Sequence, residues 1–337
     1  MSPSPAPPAA RLTQLLSEEG LAERLPELVA LARVAPDAWA EVQPLAVFLS
    51  VVAEPRALRD RLAELLLEGD LDEAALGRAR QPLDVFLRAH RTNGLPGFQD
   101  NDPEGFAGAW AAWRRPGVHD RFTPALLAHP RLAMWLLELA RALRFYGRTE
   151  DAIALSLQLA ETWRRHRCWT ELGEAASLVS QHGLLNDARP ELTPVVLDWL
   201  AEIADESEDV RPWATVMAGY LVGFKGGDVE GGCRWYRRAI AAAPEHPAPY
   251  NDLAWLLTSN GRLTEEALGY ARAALARAPG NPSVQHTAGL LEWRVAQDPD
   301  TARRLLEQAA AHPKAEPQYA ASLAELRAAH PAPGGGT

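Results

Sequence analysis

The stretch YNDLAWLLTSNGRLTEEALGYARAALARAP, Tyr250–Pro279, decides the fold. Its first half carries Leu253, Leu256 and Leu257 on one helical face, and its second half carries Leu268, Ala271 and Leu275 on another. Apolar residues at three- and four-residue spacing mark amphipathic helices. Gly261 supplies the turn between the halves, Thr264 ahead of Glu265 and Glu266 starts the second helix, and Pro279 ends it. A second copy of the closing half, DTARRLLEQAAAHP, follows at Asp300–Pro313. A helical hairpin of this size cannot bury its apolar face alone, so copies must stack.

Working outward, one small residue recurs early in each second helix: Ala152, Ala188, Gly232, Ala267 and Ala302, spaced by 36, 44, 35 and 35 residues. A glycine precedes most of them, at Gly147, Gly183, Gly227 and Gly261. Small residues let helices approach closely, and glycine permits the tight connection. No strand pattern interrupts the helical periodicity. The reading is an all-α chain, a helical-hairpin repeat array (an α-solenoid), with a less regular N-terminal helical region.

The expected division is a disordered tail over 1–10, irregular N-terminal helices over 11–92, a loop and short helix over 93–129, degenerate repeats over 130–205, and clear repeats over 206–330. In the degenerate part Pro190 and Pro194 are expected to interrupt a second helix. Ala321–Ala329 forms the C-terminal capping helix, and 331–337 a flexible tail.

At these residues the chain resembles the tetratricopeptide repeat (TPR) family, a helix-turn-helix of about 34 residues. The family places small residues at its eighth, twentieth and twenty-seventh positions and proline at its thirty-second. Leu253, Ala254, Gly261, Ala267, Ala274 and Pro279 match, with one extra residue in the turn. Trp213, Gly227, Gly232, Ala239 and Pro244 match in the preceding unit, and Gly289, Ala302, Ala309 and Pro313 in the following one. The resemblance is clearest over 211–314, fair over 130–165, and has an isolated echo at Gly69–Ala74.

The resemblance implies that the first helix of each repeat lines a concave face that holds a peptide or protein segment. The implied contacts are Asn251, Trp255, Thr258 and Ser259, then His286, Trp293 and Arg294 in the next unit, and Arg141 and Arg144 near residue 140. Tyr220, Phe224 and Lys225 are candidates where the register is open by one. The lysine-rich clamp that some family members use for a C-terminal carboxylate is not expected, because Lys225 and Lys314 are the only lysines. An aromatic and arginine groove suits an extended or helical peptide, its arginines receiving acidic side chains.

Composition narrows the remaining classes. A formal net charge of −10 over 337 residues argues against nucleic acid as the main partner. The dominance of arginine over lysine, with abundant Ala, Pro and Gly, reads as bacterial codon bias. No apolar run is long enough to span a bilayer, and the N-terminus has neither the basic start nor the apolar segment of a secretory signal, so a cytoplasmic location is expected.

Cys168 and Cys233 make no metal spacing, and the nine histidines form no cluster, so no metal or cofactor is expected. Asp100–Gly105 begins like a calcium loop, but Ala111 occupies the place of its closing glutamate, and Asp102 reads better as a helix cap. Gly219, Gly223, Gly226 and Gly227 with Lys225 lack the order of a phosphate loop and fall where the repeat needs small residues.

The leading expectation is therefore a non-catalytic interaction module or scaffold. One alternative is self-association, in which the N-terminal region, with Trp39, Phe48 and a run of leucines, forms a dimer interface or folds back on the array. Another is a ligand receptor or enzyme with a site in 90–125, around His119 and the face shared by Phe106, Trp110 and Trp113. Most of the eleven tryptophans are expected to pack between helices.

Overall fold

The computed structural model describes residues 6–17, 20–54, 56–68, 71–93, 102–185 and 189–331. Ala188, Gly69, Asp70, Asp100 and Asn101, used in the readings above, lie outside the described residues. The described residues form helices joined by turns, with no strand among them, and divide into two compact units, Met1–Ala188 and Arg189–Thr337.

Unit 1 contains α1 (Pro8–Ser17), α2 (Leu21–Val34), α3 (Pro36–Val52), α4 (Arg56–Leu67), α5 (Glu73–Arg80), α6 (Asp84–Asn93), α7 (Pro103–Trp113), α8 (His119–Leu127), α9 (Pro130–Phe145), α10 (Thr149–His166) and α11 (Trp169–Val179). The helix α1 begins inside the stretch expected to be a disordered tail. Its centre is α3, whose residues Leu45–Val52 are all buried; a helix apolar on every side belongs in a core. It is packed by α1, α2, α4 and α8.

Phe48 meets Phe86 edge-on at 5.1 Å and Trp135 at 5.9 Å, and Phe86 meets Trp113 at 4.8 Å. Phe48 is fully buried and Trp39 is 8% exposed, so neither offers the self-association surface expected of them. The α9–α10 hairpin turns at Gly147, φ +74°. The Arg148 amide reaches back to the Leu143 carbonyl at 2.7 Å, closing the helix C-terminus. Thr149 is the first residue of α10 and makes no cap hydrogen bond.

Unit 2 is the regular part. It contains α12 (Thr193–Glu206), α13 (Arg211–Tyr220), α14 (Val229–Ala242), α15 (Pro247–Ser259), α16 (Glu265–Arg277), α17 (Pro282–Arg294), α18 (Pro299–Ala310) and α19 (Pro317–Ala329). Helices pair as α13–α14, α15–α16 and α17–α18, each second helix also packs on the next first helix, and α19 covers α18. Each start is specified locally. Asp228 accepts from the Gly231 amide at 2.8 Å, Thr264 from Ala267 at 3.2 Å, Asn281 from Ser283 at 3.0 Å and Asp298 from Thr301 at 3.0 Å. Proline occupies the first turn of α13, α15, α17, α18 and α19. Pro194 does the same for α12, and Pro190 opens the short turn before it, so these prolines begin a helix instead of interrupting one.

The small residues act as expected. A Cβ on Gly232 would lie 2.7 Å from the Gly223 Cα, so α14 crosses the end of the α13 segment backbone to backbone. Ala267 and Ala302 are fully buried. Gly227 and Gly261 take φ +72° and +73°, as tight turns require. Gly183 does not: it lies inside Ser180–Leu184, a segment whose turn is closed by an i→i+5 bond from the Leu185 amide to the Ser180 carbonyl at 2.8 Å.

Candidate functional site on the first-helix face of unit 2

A second i→i+5 segment, Leu221–Lys225, continues α13, with the Gly226 amide donating to the Leu221 carbonyl at 2.8 Å. It inserts one residue and explains why the register near 220 is open in the sequence. Contacts fix it. A Cβ on Gly219 would lie 3.0 Å from the Tyr236 ring, just as one on Gly289 would lie 2.9 Å from Leu306. Gly219, Ala254 and Gly289, spaced by 35 residues, are therefore equivalent. It follows that Tyr220, Trp255 and Leu290 share one place along the three first helices, and Phe224, Ser259 and Arg294 another.

Several expected contact residues are already engaged in packing. His286 is 3% exposed: its Nε2 lies 3.0 Å from Ser322 Oγ, and its ring stacks on Tyr319 at 4.5 Å. Burial pushes its pKa down to about 4, so it is neutral. Trp293 packs with Leu306, Leu323 and Leu326 under α19, and the Arg294 guanidinium sits 3.8 Å from its ring centre. The capping helix takes both side chains out of the expected groove.

The arginines are engaged too. Arg294 pairs with Glu325 at 3.1 Å. In unit 1, Arg141 pairs with Glu138 at 3.2 Å and Glu174 at 2.7 Å, while Arg144 is exposed. Thr258 and Ser259 return their hydroxyls to the backbone of their own helix, to Ala254 and Leu256. Lys225 is exposed at the end of the i→i+5 segment.

Besides Lys225, what remains on the face is aromatic and acidic. Tyr220 is 37% exposed and lies 5.6 Å from the half-buried Phe224 ring. Trp255 is half-buried, 5.7 Å from His286. Next to this face stand two residues that the sequence reading missed. Tyr236 of α14 is fully buried, yet its hydroxyl has no hydrogen-bond partner. Burial, and next the nearby Asp252, push its phenol above the usual range. Asp252 of α15 makes one side-chain hydrogen bond, a 3.4 Å contact from Asn251 Nδ2. Desolvation pushes its carboxyl up to about 6. The Asn251 Oδ1 has no donor, in a residue 8% exposed.

A signal for these residues is present in the repeat. Tyr236 stands where the next units carry Ala271 and Leu306, and Asp252 is the only charged residue in α15.

Of the alternative site around 90–125, residues 94–101 lie outside the described residues, and the described ones are engaged in packing. Residues 103–113 form the expected short helix, and 119–127 form a second one. Phe106, Trp110 and Trp113 are buried, with Trp110 Nε1 donating to Asp151 at 3.2 Å. Asp102 caps α7 through the Gly105 amide at 2.8 Å and pairs with Arg88 at 2.6 Å. His119 pairs with the adjacent Asp120 at 2.7 Å. Both cysteine thiols are pushed up by burial, which makes them poor nucleophiles. Among the described residues no helix is long and apolar enough to cross a membrane.

These features define unit 2 as a TPR-like helical-hairpin array. No family model matches the sequence, and no curated protein does. Among solved structures the chain is similar to the MamA protein, with 14% identity over 59% of this chain and 95% of that one, at a TM-score of 0.42. It is similar to YrrB, described as a TPR protein with an unusual peptide-binding site, with 17% identity over 60% and 96%, at 0.41. It is also similar to the TPR domain of P58(IPK), with 14% identity over 95% and 87%, at 0.33. These likenesses are low, and the assignment of the array rests on its own helix pairs and close-contact glycines.

Proposed function

We propose that the protein is a non-catalytic interaction module that holds a protein segment on the first-helix face of unit 2, at α13 and α15. The observation that carries this reading is the equivalent placement of Tyr220 and Trp255 one repeat apart, both accessible, with Phe224 beside them. Aromatic rings that keep solvent access while anchored in a rigid helix face are the usual source of binding energy at interfaces. Two successive repeats present them at the same position, so an extended or helical segment lying across the helices meets both.

The test is selection of random peptides on the full-length protein, followed by affinity measurement on the Tyr220→Ala/Trp255→Ala variant. Loss of the rings should weaken selected peptides by roughly thirtyfold, the equivalent of about 2 kcal/mol for one hot spot. Circular dichroism should show unchanged helicity. Equal binding by the double variant, or no selected peptide at all, refutes the assignment.

A further inference from the structure

The expected acid-receiving arginines on this face are taken: Arg294 by Glu325, and Trp293 lies beneath it. The unmatched charge is of the other sign. Asp252 projects from α15 at the junction with Tyr236 of α14 and belongs to no ion pair among the described residues. The groups that face it are the Asn251 amide on its own helix, His246 at that helix's start, and the Tyr236 phenol. No basic side chain of α13, α14, α16 or α17 pairs with it.

Asp252 is half-buried, and a carboxylate partly withdrawn from water without a cation is left for a binding partner to satisfy. The surroundings are those of a cation acceptor. Beside the Asp252 carboxyl lie the Asn251 side chain, whose Nδ2 is 3.4 Å from it and whose Oδ1 has no donor, and the fully buried Tyr236 phenol, whose hydroxyl has no partner. Asn251 and Tyr236 are both more than nine-tenths buried. Tyr220, one residue beyond the glycine that touches the Tyr236 ring, and Trp255, three residues beyond Asp252, place aromatic faces at the rim. Aromatic faces attract cations as well as apolar groups.

We propose that this site takes a basic side chain, arginine or lysine, from the bound segment, its charge on Asp252 and its stem between Tyr220 and Trp255. This rests on the reading of the α13–α15 face as the segment-binding surface, and it turns the expected preference for acidic partners into one for basic partners. The net charge of −10 favours the same class of partner. Because Asp252 titrates near pH 6, the preference belongs to the carboxylate form and fades as the pH falls through that value.

The test uses a random peptide library displayed against the full chain at pH 7.5. Enrichment of arginine or lysine at one position supports the proposal if that enrichment disappears both in Asp252→Asn and in selections at pH 5. The charge-neutral, equal-sized substitution should weaken an arginine peptide by at least about tenfold. Selected peptides that lose binding in Tyr220→Ala/Trp255→Ala but show no basic preference, or whose preference survives Asp252→Asn, overturn this inference and leave the segment-binding reading standing. An absence of any selected peptide overturns both.

Discussion

The close approach of Gly232 to Gly223 should make one methyl group decisive. In Gly232→Ala the new Cβ would lie 2.7 Å from the Gly223 Cα, 2.8 Å from Leu256 Cδ2 and 3.1 Å from the Gly223 nitrogen. Carbon atoms pack at about 3.5–4.0 Å, so the helices must separate by roughly 1 Å. Leu256 can turn aside, but the Gly223 backbone cannot. Overpacking of this kind costs about 1–3 kcal/mol, against a helix-propensity gain of about 1 kcal/mol for replacing glycine by alanine. A stringent control is Gly269→Ala in α16, where a Cβ meets nothing within 4 Å. There only the propensity gain applies, and the protein should be more stable by about 0.5–1 kcal/mol. The same chemical change therefore has opposite signs at two sites of one array. Repeat arrays need not unfold in a single step, so hydrogen exchange of the α14 and α16 amides is the suitable assay. Faster exchange in α14 for Gly232→Ala and slower exchange in α16 for Gly269→Ala is the expected result. A Gly232→Ala protein as protected as the Gly269→Ala protein would refute the close-packing account.

Two further predictions concern charge. His286 is held near a pKa of 4, below the ordinary value of 6.5, so the unfolded chain takes up a proton that the folded chain refuses between these values. Stability is present above pH 6.5 and lost as the pH falls toward 4, by at most about 3 kcal/mol. Since Asp252, with its raised pKa, has the opposite sign, the measurement is the difference in urea midpoint between wild type and His286→Gln across pH 4–7.5; a difference independent of pH contradicts the assignment. The Arg272 guanidinium grips Glu292 through two contacts of 2.8 Å, and the carboxylate side chain is only 7% exposed. Arg272→Ala should strand that charge between α16 and α17 and cost about 2 kcal/mol, less than a fully buried pair because Arg272 itself is 55% exposed. Thermal unfolding should recover in the Arg272→Ala/Glu292→Gln double variant, and no recovery would mean the loss is one of packing.

The legibility of this chain followed its physical regularity. The spacing of Gly232, Ala267 and Ala302, and the turns at Gly227 and Gly261, are local requirements repeated every 35 residues, and these the sequence shows directly. The capping by Thr264 and Asp102 is equally local. The i→i+5 segment at Leu221–Lys225 was hidden, because an inserted residue changes the register without changing the composition. The binding face was only half legible. Tyr220, Phe224 and Trp255 follow from helix position, but His286 and Trp293, on the first helix of the next unit, are buried, because α19 lies over them and no repeat rule says which unit is last.

By itself, then, the sequence determined the all-α array and, in the regular units, the turns and close contacts, since each depends on residues a turn or one repeat apart. The tertiary structure decided which side chains on the first-helix face stay accessible and which charges stay unpaired. Arg294 finds Glu325 and loses its claim on a partner. Asp252 meets Tyr236 and, among the described residues, no arginine or lysine pairs with it. Burial and pairing are sums over neighbours brought together from several helices, and that sum exists only once the helices are stacked.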